Sequence, residues 1–575
     1  MEQPPNHKLI IYQLLARLFG NTKTVNKHYG SIEENGVGKL NDITDKALQE
    51  TKKMGFSHVW FTGAIEHATM TDYTAFGIKA DDPDIVKGRA GSPYAIKDYY
   101  NIHPDLAVDV KNRVGEYEAL IKRTHSNGLK VIMGVVPNHV ARTYFSDARP
   151  EGVRDFGQDD DTTKAFSATN DFYYIPGQHF AVPQGYNPGG DEFQSPLKDG
   201  KFVEYPAKAT GNDVFSATPS LNDWFETIKL NYGVDYLDGR KTYFDPIPPL
   251  WNKMYDILCY WSEKGVDGFR CDMVEYVPFE FWGWLIPALK QKFPDLIFIG
   301  EAYNTGLYNK YIFTGKFDYL YDKVGLYDSI RRLTCNEPGA TTWDINRVWN
   351  NDCRDIDQHM LRFMENHDEQ RIASRYFAQN PWYAVPGMIV TATLSTGPVM
   401  VYFGQEVGEP AEGSEGFSGD DGRTTIFDYW GVPEHQKWVN NGRFDGGQLS
   451  EDQKNLRSFY STLLNAVNNN EALRSGKFYE LMLANQQQAG FNERLYIFIR
   501  YTEEQRILVI ANFSRTETEI QVKLPDDLIN RWNLEGKMEF VDLLSGKKYI
   551  ANDIISGLKV TLLPTSGLLL KFMAI

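Results

Sequence analysis

Three carboxylates stand out by what precedes them. Asp272 follows Gly268-Phe269-Arg270-Cys271, Glu301 follows Ile297-Phe298-Ile299-Gly300, and Asp368 follows Phe363-Met364-Glu365-Asn366-His367. The runs before them read as short buried strands. Strands that deliver acids to one rim gather them over a single pocket. Bunched acids have a chemical use, because burial and repulsion keep one protonated while another stays ionised. Cleavage of a glycosidic bond needs such a pair: one acid protonates the leaving oxygen and one carboxylate attacks the anomeric carbon. Arg270 lies on the same strand face as Asp272 and would hold a carboxylate ionised through a charge-assisted hydrogen bond.

The elements that must position these acids repeat one rhythm over the first 400 residues. Strand-like runs fall at Ile10–Leu15, Ser57–Phe61, Lys130–Val136, Val266–Cys271, Leu296–Gly300, Phe317–Tyr321, Met360–Met364 and Val399–Phe403. Amphipathic segments lie between them, at Asp42–Met54, Val114–Asn127, Leu250–Lys264 and Phe279–Lys292. This alternation predicts an α/β fold, a closed (β/α)8 TIM barrel. Residues 138–235 break the rhythm with Gly, Asp, Asn and Pro and read as a loop-rich domain inserted after the third strand. Beyond about 475 the helices are expected to stop, and Arg494–Arg500, Arg506–Asn512, Thr518–Val522 and Val560–Leu563 predict a C-terminal all-β sandwich. The expected domains are therefore a barrel of 1–137 and 236–470, an insertion of 138–235 and a β domain of 471–575.

Composition narrows the partners. The 575 residues carry a net charge of −16, with 42% hydrophobic and 24% charged residues, as in an ordinary globular chain. At roughly 150 residues per domain the length suggests about four domains. A pI near 5.3 argues against nucleic acid or an anionic membrane as the main partner, since both reward clustered Lys and Arg. Cys259, Cys271, Cys335 and Cys353 form no C-x-x-C pair and are too few for a disulfide framework, which leaves the redox compartment open. Tyr376–Gln405 has no charged residue, but its prolines and glycines argue against a membrane span. Leu9–Leu15 reads as a buried strand and not as a secretory leader, because Arg17 interrupts it and no cleavage site follows.

Set in order, the motifs resemble those of the α-amylase superfamily, glycoside hydrolase family 13. They are Tyr94-Ala95-Ile96-Lys97-Asp98-Tyr99, Val135-Val136-Pro137-Asn138-His139, Gly268-Phe269-Arg270-Cys271-Asp272, Gly300-Glu301-Ala302, Asn366-His367-Asp368, and Gly397-Pro398-Val399-Met400-Val401-Tyr402-Phe403-Gly404-Gln405-Glu406. The resemblance spans roughly residues 8–575. It implies Asp272 as nucleophile, Glu301 as general acid/base and Asp368 as the acid that grips sugar hydroxyls. It also implies His139 and His367 as sugar ligands, Tyr94 as a stacking ring, and Asn138 as a ligand of a structural Ca2+. Asp159, Asp160, Asp161 or Asp171 could join that ion. No organic cofactor is implied.

Three departures from the pattern matter. Gly134 stands where an aspartate usually supports the site, so Arg270 needs another partner. Glu275-Tyr276 replace the usual Lys-His, which leaves acceptor-side specificity open, and Thr218–Asn222 match only in part. Phe279-Glu280-Phe281-Trp282-Gly283-Trp284 fits either a sugar platform or helix packing. The expected activity is retaining hydrolysis of α-1,4-glucosidic bonds in starch, maltodextrins or related α-glucans. Two alternatives stay open: transglycosylation or glucosyl isomerisation by the same chemistry, and a non-catalytic glucan-binding or transporter-associated relative. An exported protein whose leader has been removed and a cytoplasmic one fit equally, and the oligomeric state is open.

Overall fold

The computed structural model describes residues 8–573, so residues 1–7 and 574–575 of the expected domain spans lie outside the described residues. Eight parallel strands close into a barrel: β1 (Ile10–Leu15), β2 (His58–Thr62), β3 (Lys130–Val135), β4 (Gly268–Cys271), β5 (Ile297–Gly300), β6 (Tyr319–Tyr321), β7 (Met360–Phe363) and β8 (Val399–Tyr402). Closure is by the β1–β8 ladder, in register from Ile10↔Val399 to Gln13↔Tyr402. Apart from the exposed Lys130 at the start of β3, nearly every barrel residue is buried. Continuous apolar runs are the mark of strands covered on both faces.

Helices cover the outside. Asp45–Lys53, Arg113–Ser126, Pro249–Glu263 and Phe279–Lys292 follow the first four strands. Thr44 caps the first of these, its side chain accepting from the Ala47 amide. Phe281 and Trp282 are buried between the Phe279–Lys292 helix and its neighbours, so this aromatic cluster packs the barrel and does not form a sugar platform. Between β5 and β6 the chain makes a 3-10 turn, Thr305–Leu307, and a π-helical turn, Lys310–Thr314, where a regular unit would place an α-helix. The uncharged stretch after Tyr376 forms a buried helix, Val385–Thr393, and then β8. No helix among the described residues is long and apolar enough to cross a membrane.

Residues following β3 run through short two-stranded ladders, including His139–Ala141 with Thr227–Lys229 and Val234–Asp235 with Lys241–Thr242. The C-terminal region holds a six-stranded antiparallel sheet and a separate two-stranded ladder, Thr518–Val522 with Leu558–Leu562. It includes strands that lack a clear sequence pattern, Lys477–Glu480, Met538–Asp542, Lys548–Ala551 and Ser566–Phe572. Helices do not stop at 475, contrary to expectation. Met482–Asn485 and Asp526–Trp532 are helical, the latter begun by Pro525 and two acids in its first turn.

Candidate active site

A cavity of about 260 Å³ opens at the carboxyl ends of the barrel strands, where this architecture places its chemistry. Tyr94, His139, Asp272, Glu301 and Asp368 line it together with Trp224, Met273, Tyr303, Phe417 and Phe427. A larger void, about 1110 Å³, lies at the opposite end among the strand starts, lined by Leu9, His58, Lys130 and Ile297. None of the three acids reaches it.

Arg270 organises the acids. Its Nη1 donates to Asp272 Oδ1 at 2.8 Å, and its Nη2 lies 3.0 Å from Glu301 Oε2. Nε donates to the Tyr321 hydroxyl at 3.1 Å. Burial opposes the guanidinium charge, yet the carboxylates, Glu301 foremost, hold Arg270 well above its ordinary value. The missing aspartate is explained by volume. Gly134 pairs with Arg270 across the β3–β4 ladder, and a Cβ there would lie 3.2 Å from Trp60 Nε1. The Trp60 ring occupies that space, its centroid 5.1 Å from the guanidinium carbon, and completes the arginine's surroundings.

Glu301 receives more donors than Asp272. The Met273 amide donates to Oε2 at 2.9 Å and the Tyr303 hydroxyl to Oε1 at 2.6 Å. Met273 itself sits in the left-handed region, with φ 44°, at the turn after Asp272. Burial pushes both carboxyls up. The Glu301 charge holds Asp272 high, whereas Arg270, Tyr303 and the Met273 amide bring Glu301 below its ordinary value. Burial, followed by repulsion from Glu301, pushes Asp368 up to about 7.

The sugar-binding candidates converge on the same cavity. His367 Nε2 lies 3.1 Å from Asp368 Oδ2 and also contacts the Tyr94 hydroxyl, while Gln13 Nε2 approaches its Nδ1 at 2.8 Å. The Tyr94 and His367 rings are stacked at 15°. Burial, then the Arg270 charge, pushes His367 down to about 3. Burial and Lys229 push His139 to about 3 likewise. Both imidazoles are therefore neutral hydrogen-bonding groups near pH 7.

Glu275-Tyr276 do not face the cavity as a leaving-group pair. Glu275 accepts from the Tyr303 and Asn304 amides at 3.1 and 2.8 Å and so fixes the loop after Glu301. Sequence reasoning missed Trp60, Met273, Tyr303 and Gln13: the partners of Trp60, Met273 and Gln13 are distant in the chain, and the Tyr303 hydroxyl turns back onto Glu301 two residues before it.

Most of the oxygens proposed for calcium already have protein partners, the buried Asp171 Oδ1 being the exception. Asn138 Oδ1 accepts from Lys229 Nζ at 2.7 Å. Asp159 pairs with Arg154, Asp161 with Lys164, and Asp171 with Lys253, while Asp160 accepts from the amides of Asp171 and Phe172. Among the described residues no cluster of three His, Cys, Asp or Glu side chains could hold a metal. This donor set does not fit a calcium ion.

The family described as "Alpha amylase, catalytic domain" matches residues 13–509. The chain is 22% identical to alpha-amylase 3 of Dictyoglomus thermophilum, over 99% of this chain and 94% of that protein. It is 21% identical to the trehalose-6-phosphate hydrolase of Bacillus subtilis, over 92% and 93% respectively. Among solved structures, the α-amylase of Geobacillus thermoleovorans superposes with a TM-score of 0.61 at 16% identity, covering 100% of both chains. An Anoxybacillus α-amylase superposes with a TM-score of 0.63 at 17% identity, covering 100% of this chain and 99% of its own.

Proposed function

Because the chain belongs to the alpha-amylase family and is a glycoside hydrolase, we propose that it cleaves α-1,4-glucosidic bonds of starch, maltodextrins or related α-glucans with net retention. The observation that carries this reading is the single guanidinium of Arg270 bound to both Asp272 and Glu301. Carboxyls held on adjacent nitrogens of one fork lie close together, as direct attack requires. An inverting site would separate them by roughly 6.5–9.5 Å to admit a water.

In this reading Asp272 attacks the anomeric carbon as the bond to the leaving glucan breaks, and Glu301 delivers a proton to the departing oxygen. A water then attacks the glycosyl-enzyme; Glu301 takes its proton and Asp272 is released. The first step needs Asp272 ionised and Glu301 protonated, one proton between the two carboxyls. Neutral His139 and His367 and the Asp368 carboxyl are placed to bind sugar hydroxyls, with Tyr94 beneath the ring.

The test is hydrolysis of starch and maltoheptaose by Asp272→Asn and Glu301→Gln. Each variant is expected to lose activity on the order of 10³-fold or more. Full activity in either would overturn the assignment.

A further inference from the structure

We propose that the Lys229 ammonium is itself the resident cation at the junction between barrel and insertion, and that this junction takes no divalent metal. Lys229 ends the short strand Thr227–Lys229, which pairs in register with His139–Ala141, Lys229 opposite His139. Its side chain is 2% exposed, so the charge needs compensation from the protein. Asn138 Oδ1 supplies a hydrogen bond at 2.7 Å, the Asp213 carboxylate an ion pair at 2.5 Å, and the Tyr276 carbonyl a longer contact at 3.4 Å. The Tyr236 and Tyr276 rings stand 5.2 and 5.4 Å from Nζ, within cation–π range.

Charge and geometry both select a monovalent cation. One ammonium and one carboxylate balance, whereas a divalent ion on the same oxygens would leave two uncompensated positive charges beside Lys229. Calcium takes six to eight oxygens at about 2.3–2.6 Å, and three protein oxygens surround Nζ here. The rings fill the remaining directions with faces that attract an ammonium. The pairing also has a place in the site. Asn138 precedes His139, its Nδ2 donates to the Gly211 carbonyl at 2.6 Å and it lies 3.1 Å from His139 Nδ1; Asp213 belongs to the insertion and Tyr276 to the loop after Asp272. Lys229 thus ties together the segments that flank His139 and the nucleophile, acting as a positioning residue.

The experiment follows thermal unfolding of the full chain after EDTA dialysis and again with added CaCl2. Coincident midpoints are expected. An EDTA-induced drop that disappears in Asn138→Ala would locate a metal at this junction and overturn the proposal. A drop that persists in Asn138→Ala places the metal elsewhere and leaves the assignment standing. Lys229→Met, which keeps most of the length of the side chain and removes its charge, is expected to melt at a lower temperature in EDTA and in calcium alike. A wild-type midpoint in that variant would also overturn the proposal. If it fails to fold, the wild-type comparison still decides.

Discussion

At the scale of single residues, one arginine and one phenol set how readily Glu301 carries a negative charge. Tyr303 donates to Glu301 Oε1 at 2.6 Å and favours the ionised form of that group. Removing this donor in Tyr303→Phe raises the Glu301 pKa in the free enzyme. A hydrogen bond to a charged group is worth about 1.5–3 kcal/mol, which corresponds to a shift of roughly one to two pH units. The limb of the kcat/KM–pH profile that reports Glu301 should move upward by that amount, and an unmoved limb would remove Tyr303 from this role. The three acids were legible from sequence because each follows an apolar strand. Tyr303 was not, because nothing in its local pattern shows that its hydroxyl turns back two residues onto Glu301.

At the scale of elements, neighbouring strands exchange volume beneath the site. Gly134 of β3 leaves the space that Trp60 of β2 fills, so restoring an aspartate by Gly134→Asp forces its Cβ against Trp60 Nε1. That substitution should destabilise the protein by about 1–3 kcal/mol, as overpacking does, and lower activity by displacing Arg270. Trp60→Ala opens the same space from the other side and should cost about 3–5 kcal/mol. Denaturant unfolding of the two variants checks both figures. All eight barrel strands were readable within a few residues, since strands covered on both faces are apolar throughout. The short C-terminal strands were harder: Lys548–Ala551 is four residues long, two of them exposed, too short to show an alternation. The Gly134–Trp60 exchange was invisible for another reason, because it depends on which strands stand side by side.

At the scale of the whole molecule, buried histidines set how the fold meets acid. His435 does not line the cavity of the three acids; its Nε2 lies 2.9 Å from the Phe19 carbonyl and its ring among Phe19, Phe403 and Trp438. Burial pushes it down to about 3. The folded value is below the unfolded one, so the unfolded chain takes up a proton that the folded chain refuses. This contribution is absent above about pH 6.5. As pH falls below that it costs about 1.4 kcal/mol per pH unit, down to the folded value. His435→Gln removes the term, and its Tm should decline less steeply than wild type between pH 7 and 5. Superimposable declines would contradict this. The central claim is tested most directly by following the anomeric proton signals during the first minutes of maltoheptaose cleavage by NMR. The account predicts that the newly formed reducing end appears first as the α-anomer and only later mutarotates. Initial appearance of the β-anomer would contradict it.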